Sequence, residues 1–177
     1  MGKNGNDRAM SLIRFSVSLM VPALIAGYID LAIAEDVPQV CYRAVELQRQ
    51  KDWSASIDTH TECLNSGSLN SQDLASAYNN RGLAHAALVF VEMSAADRLG
   101  DDAALSHLEM AIEDLDRAVE INPNDAFAYC VRGTAKLEIG WWFEDEEYLE
   151  EGEDDIQKGR DLGETDEFWC DQNRLQK

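Results

Sequence analysis

Positive charge is what this sequence most lacks. Lysine and arginine together number 15 against 34 aspartates and glutamates, a formal net charge of −19. A field of that sign repels phosphate backbones and anionic lipid headgroups and draws basic partners, which speaks against nucleic-acid binding. Its simplest consequence is solubility. Proline is scarce too, with three in the chain, and no Asn-x-Ser/Thr sequon occurs. Both fit an exported bacterial protein. The sequence has no HExxH, no GxSxG and no CxxC or Cys/His spacing of the kind that holds zinc. It has no glycine-bearing loop of alternating acids for calcium. No set of residues proposes a reaction, so the expectation is a protein that is not an enzyme and carries neither cofactor nor metal.

Long apolar runs are confined to the amino end. Lys3, Arg8 and Arg14 form a positive leader, an apolar stretch runs from Phe15 to about Ala34, and Ala32-Ile33-Ala34 is a small-x-small cleavage sequence. That is the layout of a secretory signal peptide over residues 1–34. The alternative is an uncleaved anchor, since about 20 apolar residues just span a bilayer. Asp30 within the stretch and Pro22 interrupting it weigh against the anchor. Cleavage after Ala34 leaves residues 35–177 as one domain, periplasmic in a bacterium or otherwise secreted. All four cysteines, Cys41, Cys63, Cys130 and Cys170, lie in that part. An even number in an exported chain suggests two disulfides, for which four cysteines permit three pairings.

What is present is repetition. Tyr78-x-x-Arg81-Gly82 is echoed by Tyr129-x-x-Arg132-Gly133, and Ala111-Ile-Glu-Asp-Leu115-Asp-Arg117-Ala118 by Gly152-Glu-Asp-Asp-Ile156-Gln-Lys158-Gly159. Leu74, Ala75, Tyr78, Gly82, His85 and Ala86 recur at three- and four-residue steps, the stripe of a helix with one buried face. Ser71 or Asp73 is placed to cap it, after a Ser/Asn/Gly-rich loop over residues 65–72. Ala111, Leu115, Ala118 and Val119 mark a second helix, stopped at Pro123. Asp125 caps a third that carries Tyr129, Gly133, Ala135 and Leu137, and a fourth carries Leu149, Gly152, Ile156 and Gly159.

At these residues the chain resembles the tetratricopeptide repeat family, whose helix-turn-helix unit has an aromatic and then Gly in its first helix, Ala–large apolar–Ala in its second, and a closing Pro. Tyr78, Gly82, Ala111, Leu115, Ala118 and Pro123 fill all six places. Tyr129, Gly133, Gly152, Ile156 and Gly159 fill five in the next unit, with Glu164 where the Pro would stand. Small residues at facing positions let antiparallel helices approach, and large ones fill the gap between pairs. Gly82 to Gly133 is 51 residues and Ala111 to Gly152 is 41. Against a family period of about 34, roughly 17 and roughly 7 residues are inserted between the two helices of successive units. A weaker unit precedes them, with a helix at about residues 40–51 and a second carrying Trp53, Ser56, Ile57, His60, Cys63 and Leu64. A polar capping helix is expected over residues 167–176. The resemblance implies an all-α, right-handed helical repeat of about three units plus that cap.

The resemblance also organises the candidate sites. In an antiparallel pair Cys41 and Cys63 lie at similar height, and Cys130 and Cys170 sit near the starts of successive first helices, so the expected bridges are Cys41–Cys63 and Cys130–Cys170. In this family the concave face holds peptides; here it would present Ser76, Asn79, Asn80, Leu83, Phe127, Val131 and Thr134. The bases with which the family's chaperone-binding members grip a terminal carboxylate are missing. Arg81 and Arg132 are assigned to inter-helix salt bridges, and His60, His85 and His107 to structure. The insertions carry Val89, Phe90, Val91 and Met93 in one unit and Trp141, Trp142 and Phe143 in the other, either an exposed binding patch or two extensions packed on each other. Nine carboxylates between Glu144 and Asp155 form a solvated helix face or a recruiting surface for a basic partner. The implied function is an exported scaffold for a protein or peptide partner, such as an envelope adaptor or assembly factor. The alternative is a secreted acidic inhibitor or effector directed at a basic protein.

Overall fold

The computed structural model describes residues 37–92, 101–166 and 168–170, all within the second of the two units into which the chain divides, residues 37–177. The expected signal peptide, Met93 and most of the expected capping helix lie outside the described residues. Six α-helices and no strand occur among them: α1 Gln39–Arg49, α2 Trp53–Asn65, α3 Ser71–Glu92, α4 Asp101–Ile121, α5 Ala126–Phe143 and α6 Glu146–Asp161. Neighbours in sequence pack on one another, most extensively as the pairs α1/α2, α3/α4 and α5/α6.

The ends of these helices follow from local chemistry. Asp52 accepts from the Ala55 N–H at 3.3 Å to start α2, and Asp125 accepts from the Ala128 N–H at 3.1 Å to start α5. The sequence expectation for α3 is corrected by one position: Asn70 is the cap, its Oδ1 accepting from the Asp73 N–H at 2.9 Å. Asp145 opens α6 by accepting from the Glu147 and Tyr148 N–H groups at 3.0 and 3.2 Å. Just before it, Glu144 takes a left-handed conformation (φ 54°) that closes α5. The residues inserted between α3 and α4 are largely helix, so that α3 and α4 run to 22 and 21 residues.

The interior is built from small side chains with a few large ones between them. Ala86, Ala87, Ala111, Leu115, Ala118, Ala128 and Val131 form one cluster with Trp169 and Cys170. Val89, Ala104, Leu108, Ala135 and Ile139 form a second, and Cys41, Cys63 and Ala77 a third. Close approach is most severe at the glycines. A Cβ on Gly82 would come within 2.8 Å of Leu115 Cγ and 3.1 Å of the Ala111 carbonyl oxygen. Both pairs of cysteines lie at bonding distance, Cys41–Cys63 with Cα atoms 4.9 Å apart and Cys130–Cys170 at 5.1 Å. Such pairs fit an oxidising compartment. No helix among the described residues is long and apolar enough to cross a membrane.

The carboxyl end departs from the expected helix where it is described: residues 168–170 form a turn that folds back onto the bundle. Asp166 accepts from the Phe168 and Trp169 N–H groups, Thr134 Oγ1 donates to the Trp169 carbonyl at 2.7 Å, and Arg160 donates to the Cys170 carbonyl. Trp169 packs edge-on against Phe90 with ring centroids 5.5 Å apart.

Candidate functional site

Two arginines organise the helix pairs in the same way. Arg81 Nε and Nη2 donate to both oxygens of Asp114 at 2.7 Å, joining α3 to α4, while Nη1 donates to Thr61 Oγ1 at 3.0 Å on α2. Arg132 Nε and Nη2 donate to Asp155 at 2.7 and 2.5 Å, joining α5 to α6, while Nη1 donates to Asp116 at 2.6 Å on α4. Lys136 Nζ adds a second cation to Asp155 at 3.2 Å. Hydrogen bonding to Asp114 raises the Arg81 pKa above its usual value against the opposing effect of burial. The inter-helix salt bridges assigned from sequence are therefore present. Their acidic halves were legible as well, because Asp114-Leu115 and Asp155-Ile156 hold the same place in the echoed phrases.

The residues expected to line a concave peptide face divide. Ser76 is exposed, and Asn79, Asn80, Leu83 and Phe127 are partly buried. Val131 and Thr134 are corrected: Val131 is fully buried, and Thr134 is buried with its hydroxyl committed to Trp169, so the chain's own carboxyl-terminal turn covers them. Asn79 is held in the framework, its Nδ2 donating to Asp125 Oδ2 at 2.9 Å. Its Oδ1 is buried without a partner among the described residues.

The inserted edge divides as well. Val89 is fully buried, Phe90 lies against Trp169 and Phe168, and Trp142 packs beside the Val89 cluster with its indole N–H donating to Glu138 at 3.0 Å. Phe143 is 58% exposed and Trp141 36%. The acidic run is mostly solvated, with Glu144, Glu146, Glu147, Glu150, Glu151, Glu153 and Asp154 exposed; Asp155 is the exception, buried under its cations.

Sequence reasoning missed a cavity of about 160 Å³ among α1, α2 and α3. Its wall is largely apolar: Val37, Tyr42, Val45, Leu69, Ala77 and the Cys41–Cys63 pair, with Asp73, Ser76 and Asn80 contributed by α3. His60 of α2 also lines it, 1% exposed, with both ring nitrogens lacking a hydrogen-bond partner among the described residues. Burial, and then the charge of Arg81, lowers the His60 pKa to about 4, so the ring is neutral at pH 7. His85 is likewise lowered to about 4 by burial, then by His107 and Arg81, and its Nδ1 lies 2.8 Å from His107 Nδ1. Among the described residues no group of three or more His, Cys, Asp or Glu side chains is arranged to hold a metal ion.

A scan against protein-family models finds no match, and a search of curated proteins finds no match either.

Proposed function

We propose that this chain is an exported helical-repeat scaffold, similar to the tetratricopeptide repeat family, that binds a segment of a protein partner on the face formed by α1 and α3. Residues 1–34 act as a removed signal peptide, and the remainder works in the periplasm or outside the cell as an adaptor or assembly factor. No reaction is part of this proposal.

The observation that carries the repeat reading is that, in each of the three pairs, a small residue of one helix meets a backbone carbonyl of the other. Gly82 meets the Ala111 carbonyl, Gly133 meets the Gly152 carbonyl, and in the first pair the Ser56 hydroxyl donates to the Ala44 carbonyl at 3.1 Å. Aligning Ser56, Ala111 and Gly152 puts Thr61 and Asp116 in register, and these are the residues that receive the outer nitrogen of Arg81 and of Arg132. The same alignment matches Cys63 with Ala118 and Gly159, all buried. Stacked units of this kind bury a continuous core and leave one helix of each pair to form an extended binding surface.

The test is affinity capture from the native compartment using the protein beside a Ser76→Arg/Asn80→Arg variant, two α3 positions whose side chains border the cavity and do not carry the core. Loss of a specific partner from the variant is the expected result. Capture unchanged by the variant moves the site away from α3. A second reading is favoured by the seven exposed carboxylates between Glu144 and Asp154: recruitment of a basic protein by the acidic face. It predicts capture that falls steeply between low and physiological salt while remaining insensitive to the α3 substitutions.

A further inference from the structure

The molecule already holds a short segment of its own chain between two of its helices. Residues 168–170 lie against both α3 and α5. The Trp169 ring packs edge-on on Phe90 of α3, its carbonyl accepts from Thr134 Oγ1 of α5 at 2.7 Å, and Cys170 is paired with Cys130 of α5. Trp169 is buried in a cluster that includes Ala86 and Ala87 of α3 and Ala128 and Val131 of α5. The segment is gripped in two ways: an apolar side chain is covered by two helices, and a polar side chain bonds its backbone.

One unit earlier, α1 and α3 border the cavity of about 160 Å³. The 51-residue step from Gly82 to Gly133 pairs Ala77 with Ala128 and Asn80 with Val131. The α3 residues that line the cavity therefore hold the places of α5 residues clustered with Trp169. The cavity offers the same two kinds of contact. Val37, Val45, Leu69 and Ala77 give it an apolar wall, and Asn80 borders them with a side-chain amide that has no hydrogen-bond partner among the described residues. It also offers a third. Asp73 is the one carboxylate among the lining residues, which include no lysine or arginine. Its Oδ2 accepts from Asn70 Nδ2 at 2.6 Å, and its Oδ1 has no partner among the described residues.

We propose that this cavity receives a partner segment in which a large apolar side chain stands beside a basic one. The apolar side chain fills the cavity, since an apolar space of about 150 Å³ accepts benzene and burial there takes apolar surface out of water. Asn80 bonds the segment's backbone, its amide able both to donate to a carbonyl and to accept from an N–H. Asp73 pairs with the neighbouring cation, and the net charge of −19 draws that cation in. An acidic neighbour is rejected because it faces Asp73 with no base in the wall to offset it.

The proposal rests on the partner-binding role above, and the experiment separates the two. The oxidised protein, labelled with ¹³C in its methyl groups, is titrated with the blocked tripeptides Lys-Phe-Lys, Lys-Ser-Lys and Glu-Phe-Glu. The expected result is that Lys-Phe-Lys binds at least tenfold more tightly than either of the others. It moves the methyl resonances of Val37, Val45, Leu69 and Ala77 and leaves those of Leu115 and Leu137 in place. Asp73→Asn lowers Lys-Phe-Lys affinity at least threefold and narrows its margin over Glu-Phe-Glu. Should that variant fail to fold, the order of the tripeptides and the methyl shifts of the unaltered protein still decide. Equal binding of Lys-Phe-Lys and Lys-Ser-Lys, binding that leaves the four cavity methyl groups unmoved, or no binding overturns the proposal. Equal binding of Lys-Phe-Lys and Glu-Phe-Glu overturns its basic half. Partner capture that is lost with Ser76→Arg/Asn80→Arg while the tripeptides fail upholds the partner-binding face and sinks this occupant alone.

Discussion

Gly133 and Gly152 meet backbone to backbone: a Cβ on Gly133 would come within 2.6 Å of the Gly152 carbonyl oxygen, and one on Gly152 within 2.8 Å of the Gly133 carbonyl oxygen. Neither obstacle is a side chain that can swing aside, so even one methyl group forces α5 and α6 apart. Gly133→Ala is expected to destabilise the fold by about 1–2 kcal/mol, since overpacking toward the upper end of about 1–3 kcal/mol exceeds the ~1 kcal/mol gained in helix propensity. Gly82→Ala is expected to cost less, because its nearest obstacle is the Leu115 side chain and the closest backbone oxygen lies at 3.1 Å. Denaturant unfolding of the two variants checks the order.

The Asp155 carboxylate holds Arg132 and Lys136 in a place where its own side chain is 9% exposed. Asp155→Asn leaves Arg132 with Asp116 and Lys136 with Glu151, and is expected to cost about 1–3 kcal/mol for the lost charge-assisted bonds. Replacing both partners, as Arg132→Met with Asp155→Leu, is expected to cost much less than the sum of the single changes. A double-mutant cycle measures the difference, and additive losses would show that the pair contributes little coupling.

Acid is expected to weaken the fold through its buried histidines. His60 and His85 have folded-state pKa values of about 4 against about 6.5 for the unfolded chain, so the unfolded state binds more protons between those limits. Their neutral forms are accommodated fully above about pH 6.5, and stability is lost as the pH falls toward 4. For His60 the loss reaches on the order of 3 kcal/mol by pH 4. For His85 the same loss comes from burial first, and then from the neighbouring His107 and Arg81. Comparing melting temperatures of the protein and His60→Leu from pH 7 to 4 isolates the effect from the easing of acidic self-repulsion: the gap should widen as pH falls, and a constant gap contradicts it.

Each disulfide ties down an end of the described chain. Cys41–Cys63 closes 22 residues and Cys130–Cys170 closes 40, for which chain entropy gives about 3–4 kcal/mol each. The Cys41→Ser/Cys63→Ser variant should lose about that much, and the Cys130→Ser/Cys170→Ser variant slightly more because its loop is longer. Calorimetry of the two variants measures each loss.

Phe143 is 58% exposed on α5 and Trp141 36%, so changing both to Ser should cost about 1–2 kcal/mol, most of it from the covered part of Trp141. If the edge they form is a contact surface, sedimentation will show reduced self-association or partner retention; unchanged behaviour in both assays removes the edge from consideration.

Much of the architecture could be read before any coordinates. Asp125 at a cap, Pro123 as a stop, the small residues at Gly82, Ala111, Gly133 and Gly152, and the arginines that follow Tyr78 and Tyr129 all occupy the places their periodicity assigns. The cap of α3 falls at Asn70, one residue before Ser71, because Asn70, Ser71 and Asp73 are all competent caps and only the path of the loop selects among them. The sequence predicts a helix at the carboxyl turn because no proline or glycine breaks it; the Trp169 carbonyl bonding to Thr134 and the Cys130–Cys170 pair hold residues 168–170 as a turn instead.

Helix identity and pair spacing belong to the sequence, because each depends on contacts within a turn or between positions that the repeated phrases place opposite each other; of the three cysteine pairings the sequence permits, the structure holds the one the resemblance implies. The tertiary structure alone decided that Val131 and Thr134 are covered and that His60 borders a cavity with its nitrogens unsatisfied. Both outcomes turn on which distant segment reaches a given helix face. A periodic pattern tells which side of a helix is buried and leaves open what buries it, or whether the space is filled.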